Sequence, residues 1–154
     1  MIRLLLVAAV LLAASCGSEK QPAEAPQKAE APKPKDETRR FPVADQVDTK
    51  AIETELMGKH FMPGGTIAHY KKGKTEYDLF AAQFPTATDA AIALANWEMT
   101  LQGAQLVPSF GGYFGTDAGR PLFVFPKDTW LAGVVGLPQK EADLQARVLA
   151  SRLN

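Results

Sequence analysis

Between Cys16 and Phe41 the chain carries no aromatic residue and no aliphatic residue larger than alanine. That gap decides where folding can occur. Residues 17–40 (GSEKQPAEAPQKAEAPKPKDETRR) have too little apolar surface to offset the entropy cost of ordering them. Pro22, Pro26, Pro32 and Pro34 stiffen this stretch toward polyproline II, with a fully extended reach of roughly 75 Å. Its six basic and five acidic residues nearly cancel, so it is expected to act as a spacer rather than as an adhesive for an anionic surface. A docking segment for a partner is the alternative. The expected organisation of the 154 residues is a leader at 1–15, a disordered tether at 16–40 and one domain at 41–154. A domain of that length can bury about two-thirds of its unfolded surface and needs no disulfides.

Upstream of the gap, Met1-Ile2-Arg3 precedes eleven apolar residues, Leu4 to Ala14, and then Ser15-Cys16. One positive charge, an apolar run and small residues at its end make an export signal. As a helix the run spans about 16 Å, roughly half of a bilayer's hydrocarbon thickness, so it is too short for a stable transmembrane segment. Cys16 is the only cysteine. In an exported chain a lone thiol invites intermolecular oxidation unless the sulfur has another use.

Leu12-Ala13-Ala14-Ser15-Cys16 resembles the bacterial lipoprotein processing motif, with Ala13 standing where that motif usually has Leu. The resemblance implies removal of residues 1–15 and lipid attachment at Cys16, through acyl chains such as palmitate. Each buried methylene contributes about 0.8 kcal/mol, so two or three chains hold a protein at a membrane durably. Gly17 and Ser18 follow the cysteine. In proteobacterial lipoproteins an Asp there resembles an inner-membrane retention signal; its absence implies an outer-membrane location facing the periplasm. Plain secretion after cleavage near Ser15 is the alternative.

Charge excludes little but is informative. The chain has 17 basic and 17 acidic residues, and residues 41–154 carry 10 and 12. Nothing in that balance points to nucleic acid or to an acidic substrate.

Within the domain, Asp48 to Met57 (DTKAIETELM) predicts a helix, with Asp48 as cap, Ile52 and Leu56 at i,i+4, and Gly58 as terminator. Met62-Pro-Gly-Gly65 reads as a turn. Thr66–Lys71 and Thr75–Gln83 read as strands joined across Lys72-Gly73-Lys74, with Tyr77, Leu79 and Ala81 on the apolar face. Thr88–Leu101 is the clearest helix. Thr86 or Thr88 caps it, Asp89 lies in its first turn, and Gly103 ends it. Its spacing assigns Ala91, Leu94, Ala95 and Leu101 to the core and Trp97 to a flank. Four short β-like pieces follow at 104–107, 110–114, 121–125 and 129–135, the last two joined through Pro126-Lys127-Asp128. Pro138 opens a final helix whose Leu144, Val148, Leu149 and Leu153 form the expected buried side. The predicted class is α+β: an antiparallel sheet of about five or six strands with about three helices packed on one face.

Residues 66–154 resemble exported bacterial proteins that carry a domain of unknown function. The resemblance rests on Phe84 to Ala91, on Gly111-Gly112-Tyr113-Phe114-Gly115, and on Leu122 to Gly136 followed by a helix. It implies no activity.

Candidate sites are few. Gly111-Gly-Tyr-Phe-Gly-Thr-Asp-Ala-Gly119 is glycine-rich but lacks the Gly-Lys-Ser/Thr ending of a phosphate loop, and it lacks Rossmann spacing. Strand bulges, close packing and a hairpin turn at Asp117-Ala118-Gly119 explain its glycines. His60 and His69 are the only histidines. With Glu76 and Asp78 they have the donor types of a zinc or copper site, but no HxH or HxxxH pair. Ser109 and Ser151, the domain's only serines, have no GxSxG setting. Glu76 and Asp78 share a strand face, which is how two carboxylates come to perturb each other, and also how a solvated strand face looks. Tyr113, Phe114, Phe123, Phe125 and Trp130 are the aromatic group. If Phe123 and Phe125 point inward, Leu122 and Val124 need a second covering layer or a protein contact. The expectation is therefore no catalytic residue, no metal and no cofactor. What remains is a lipid-anchored envelope protein of non-enzymatic, accessory type with an envelope protein partner. The rival is a small envelope enzyme or ligand-binding protein, with Glu76, Asp78, His69 and Arg120 meeting in a cavity of about 300 Å³ or more.

Overall fold

The computed structural model describes residues 36–154. The expected signal, Cys16 and residues 17–35 of the expected tether lie outside the described residues. Seven strands form one antiparallel sheet: β1 (Gln46–Thr54), β2 (Pro63–Lys72), β3 (Thr75–Gln83), β4 (Gln102–Val107), β5 (Gly112–Asp117), β6 (Arg120–Lys127) and β7 (Trp130–Val135). Two α-helices complete the fold, α1 (Ala87–Thr100) and α2 (Gln139–Ala150). The strand order is β1-β2-β3-β7-β6-β5-β4. The chain runs up one half of the sheet, crosses through α1 to the far edge, and returns strand by strand to pair β7 with β3.

The α+β class with an antiparallel sheet holds, while the finer description needs correction. Among the described residues there are seven strands rather than about five or six, and two α-helices rather than about three. Those helices lie on opposite faces. Tyr77, Leu79, Phe123, Phe125, Trp130 and Val134 pack with Ala142, Ala146 and Leu149 of α2. Phe80, Leu122, Val124, Leu131 and Val135 pack with Ala93, Leu94 and Trp97 of α1. Strand side chains alternate between faces, so an all-apolar run such as Leu122-Phe-Val-Phe125 needs cover on both sides. The second layer required by Leu122 and Val124 is α1.

Residues 48–57 do not form the expected helix. Gln46–Thr54 is the edge strand β1, paired with β2 in a register that sets Ile52 opposite Gly65. Val47, Thr49, Ile52 and Thr54 suit a strand, and the β2 ladder overrides the helical i,i+4 pattern. Leu56 still reaches the core, fully buried, because Glu55 and Met57 take left-handed backbone (φ 53° and 61°) and turn the chain sharply over the sheet. Pro63-Gly64-Gly65 is likewise strand rather than turn. Cβ atoms at Gly64 and Gly65 would collide with the backbone of β1 and β3, so these glycines serve close strand approach.

Residues 37–40, assigned by composition to the tether, pack on the sheet as a strap. Thr38–Arg40 is a 3-10 turn, and Thr66 Oγ1 accepts from the Glu37 amide at 3.2 Å. Arg40 lies 4.8 Å over the Trp130 ring and donates to the Arg152 carbonyl at 2.9 Å. Phe41 enters the core on the α2 side.

The two helices present their expected sides in part: Leu94 and Leu101, and Leu149 and Leu153, are buried as expected. In α1 the buried residues are Ala90, Ala93, Leu94 and Trp97, so Trp97 is central rather than flanking and Ala91 and Ala95 face out. The helix ends at Thr100, and Gly103 lies within β4. In α2 the buried residues are Ala142, Ala146 and Leu149, while Leu144 and Val148 are exposed.

Candidate functional site

On the face that carries α1, the helix covers β5 to β7 and the segment 55–62 covers the open end of β2 and β3. The remaining corner faces solvent. Period-two alternation places His69 and Lys71 of β2 and Glu76 and Asp78 of β3 there, in registers that pair His69 with Asp78 and Lys71 with Glu76. Arg120, at the start of β6, reaches across β7 toward Asp78. The four residues named as a possible constellation therefore do converge.

Their geometry is a chain of ion pairs. The Asp78 carboxylate accepts from His69 Nδ1 at 2.7 Å and from Arg120 Nη1 at 2.9 Å. Glu76 lies 3.9 Å from His69 Nε2 and pairs with Lys71 Nζ at 2.8 Å. The Lys71 hydrogen bond holds the Glu76 carboxyl below the ordinary carboxylate range, and the same bond raises the Lys71 ammonium. Asp78 is the most enclosed member, with 13% of its side chain exposed, against 48% for Arg120.

Chemically the cluster orients an imidazole. With Nδ1 occupied by Asp78, His69 presents Nε2 outward beside Glu76. A general base needs a nucleophile within reach, and neither serine is in this network. Among the described residues, no group of three or more His, Asp or Glu side chains is arranged to hold a metal ion. Asp78 already serves His69 and Arg120, and His60 lies elsewhere, ring to ring with Phe61 at 5.5 Å. The paired histidine site considered from composition is not assembled.

Grooves occur at other places. One of about 550 Å³ runs between the segment 55–62 and α1 and includes Phe61, Phe84, Asp89 and Ile92. Another, of about 520 Å³, lies beside α2 and includes Val107, Phe123 and Leu144. A third of about 310 Å³ is bounded by Tyr77, Leu137 and Leu144. The ion-pair cluster lines none of these three.

The glycine-rich stretch is architecture. Gly111 (φ 64°) closes the turn from β4 to β5, and Ala118-Gly119 (φ 48° and 78°) makes the tight hairpin into β6. Phe123, Phe125 and Trp130 are buried, with Tyr113 and Phe114 partly so.

Two paired lysines, one in the cluster and one outside it, were missed by sequence reasoning. Lys71 joins the cluster from two positions beyond His69, a spacing that the strand alternation already offered. Lys59 pairs with Asp117 at 2.8 Å and sits 4.8 Å over the Trp97 ring. Those residues are far apart in the chain, and no local pattern links them. No protein-family model matches the chain, and no curated protein or solved structure matches it either.

Proposed function

We propose that this chain is a lipid-anchored protein of the cell envelope whose domain is a non-enzymatic binding module. The carrying observation is the apolar run Leu4–Ala14 ending on the chain's only cysteine, with the polar, proline-spaced stretch after it. Acylated Cys16 holds the protein at the membrane, the outer membrane facing the periplasm being the proposed location. Residues 17–35 set the standoff distance, and the domain meets an envelope protein. The domain's chemistry supports this reading, because its converging acids and bases are neutralised by one another on an open sheet face. Mass spectrometry of the protein from membranes tests the anchor. Loss of residues 1–15 with acyl mass on Cys16 is expected; an unmodified thiol or an intact leader overturns it. Cross-linking in membranes followed by capture tests the module, with one recurring envelope protein as the expected result.

A second reading, a small envelope enzyme or ligand-binding protein, draws on one observation: His69, Glu76, Asp78 and Arg120 do meet. Screening the chain and its His69→Ala variant against small-molecule ligands decides this reading. Binding lost on substitution supports it, and identical profiles exclude it.

A further inference from the structure

The outward pole of α1 is apolar in a way that α2's is not. At about 100° per residue, Thr88, Ile92, Ala95 and Met99 fall on one line opposite the buried Ala90, Ala93, Leu94 and Trp97. Their spacing is four, three, four, the seam of two helices packed knobs into holes. Ile92 is 57% exposed and Met99 77%. Charges flank the line only at Asp89 and Glu98, whereas α2 carries Lys140, Glu141, Asp143 and Arg147.

We propose that this seam binds a second copy of the same chain, α1 against α1 in antiparallel orientation about a two-fold axis. In that register Ile92 meets the second copy's Ala95, and Met99 meets its Thr88. The alanine lets the helices approach closely. Charge favours the arrangement: Asp89 faces the second copy's Asn96, whose amide donates to a carboxylate, and Glu98 faces Ala91. No like charges oppose. A lipid surface is the poorer occupant, because interfacial helices carry Lys or Arg beside the apolar line and α1 carries acids. A 14-residue helix is about 21 Å long, and one such helix pair falls short of the ~1,200 Å² of stable interfaces. The dimer is therefore reversible, and two-dimensional confinement at a membrane would strengthen it.

Sedimentation equilibrium of the full chain carrying Cys16→Ser, which removes acylation and the thiol, provides the test. A monomer–dimer equilibrium that Ile92→Glu weakens at least about tenfold, with the circular dichroism unchanged, is expected. Association untouched by Ile92→Glu, or a monomer throughout, overturns it. Register is read separately by mixing Ile92→Cys and Ala95→Cys copies in that background. They should cross-link faster than either does with a Leu144→Cys copy on α2, and equal rates count against the seam. Flotation with anionic vesicles that depends on Ile92 would assign the face to lipid instead.

Discussion

Tyr70 concentrates the energetics of the strap in one side chain. It is fully buried, stacks on Tyr77 at 4.9 Å between ring centres, and donates its hydroxyl proton to the Pro42 carbonyl at 2.7 Å. Burial pushes its phenol up to about 12, and burial also raises Tyr77. A folded value above the unfolded value of about 10 means that the neutral phenol favours the folded chain fully below pH 10. That contribution is lost as pH rises toward 12. Phenolate absorbance and circular dichroism followed together should therefore show ionisation coinciding with unfolding. Free ionisation near pH 10 in an intact fold would contradict the burial. Tyr70→Phe keeps the ring, removes the bond to Pro42 at a cost of about 1 kcal/mol, and shifts the alkaline transition upward. The ion-pair cluster is expected to weigh less. Arg120→Ala should cost under about 1 kcal/mol in denaturant unfolding, because nearly half of that guanidinium side chain meets water.

At the level of elements, what could be read from the sequence is what local chemistry decides. The β2–β3 hairpin was legible because Tyr77, Leu79 and Ala81 alternate and Gly73 supplies the turn. The start of α1 was legible because Thr86 is a cap: its Oγ1 accepts from the Asp89 amide at 3.1 Å. Thr86→Ala should cost about 1 kcal/mol, read as a lower denaturation midpoint at unchanged m-value. What could not be read is decided by neighbours. Residues 48–57 have helix-forming residues and the i,i+4 pair Ile52 and Leu56, yet the edge of β2 recruits 48–54 as a strand. Beside the expected Leu149, the buried side of α2 is Ala142 and Ala146, since a helix lying close to a sheet accepts small residues beneath it, and Leu144 stays outside. The convergence of Arg120 on Asp78 depends on β7 lying between β3 and β6, an order that no local pattern encodes. Gly133 shows the same dependence. A Cβ there would stand 2.5 Å from Phe80 Cζ and 2.6 Å from the Phe123 carbonyl, contacts made only once the sheet is assembled.

At the scale of the domain, the sheet is covered by four pieces rather than by two helices. α1 and the segment 55–62 cover one face except for the corner that carries the ion-pair cluster. α2 and the strap 37–42 cover the other, where the Pro42 carbonyl accepts from Tyr70 and Arg40 lies over the Trp130 ring. The strap also joins the two ends of the domain, through Arg40 and the Arg152 carbonyl. Phe41 is its anchor, only 2% exposed and packed within the α2-side core. Composition marked Phe41 as the first large apolar residue after the polar stretch. It could not show that the four polar residues before Phe41 would follow it onto the sheet. Phe41→Ala removes a buried ring and leaves a cavity under the strap, which should cost about 3–5 kcal/mol in denaturant unfolding. If the strap is a sealing layer, amide exchange at Thr66, Tyr70 and Trp130 should accelerate more than exchange in α1, which lies across the sheet. A loss below about 1 kcal/mol, or acceleration spread equally over both faces, would mean that residues 37–42 rest on a core that closes without them.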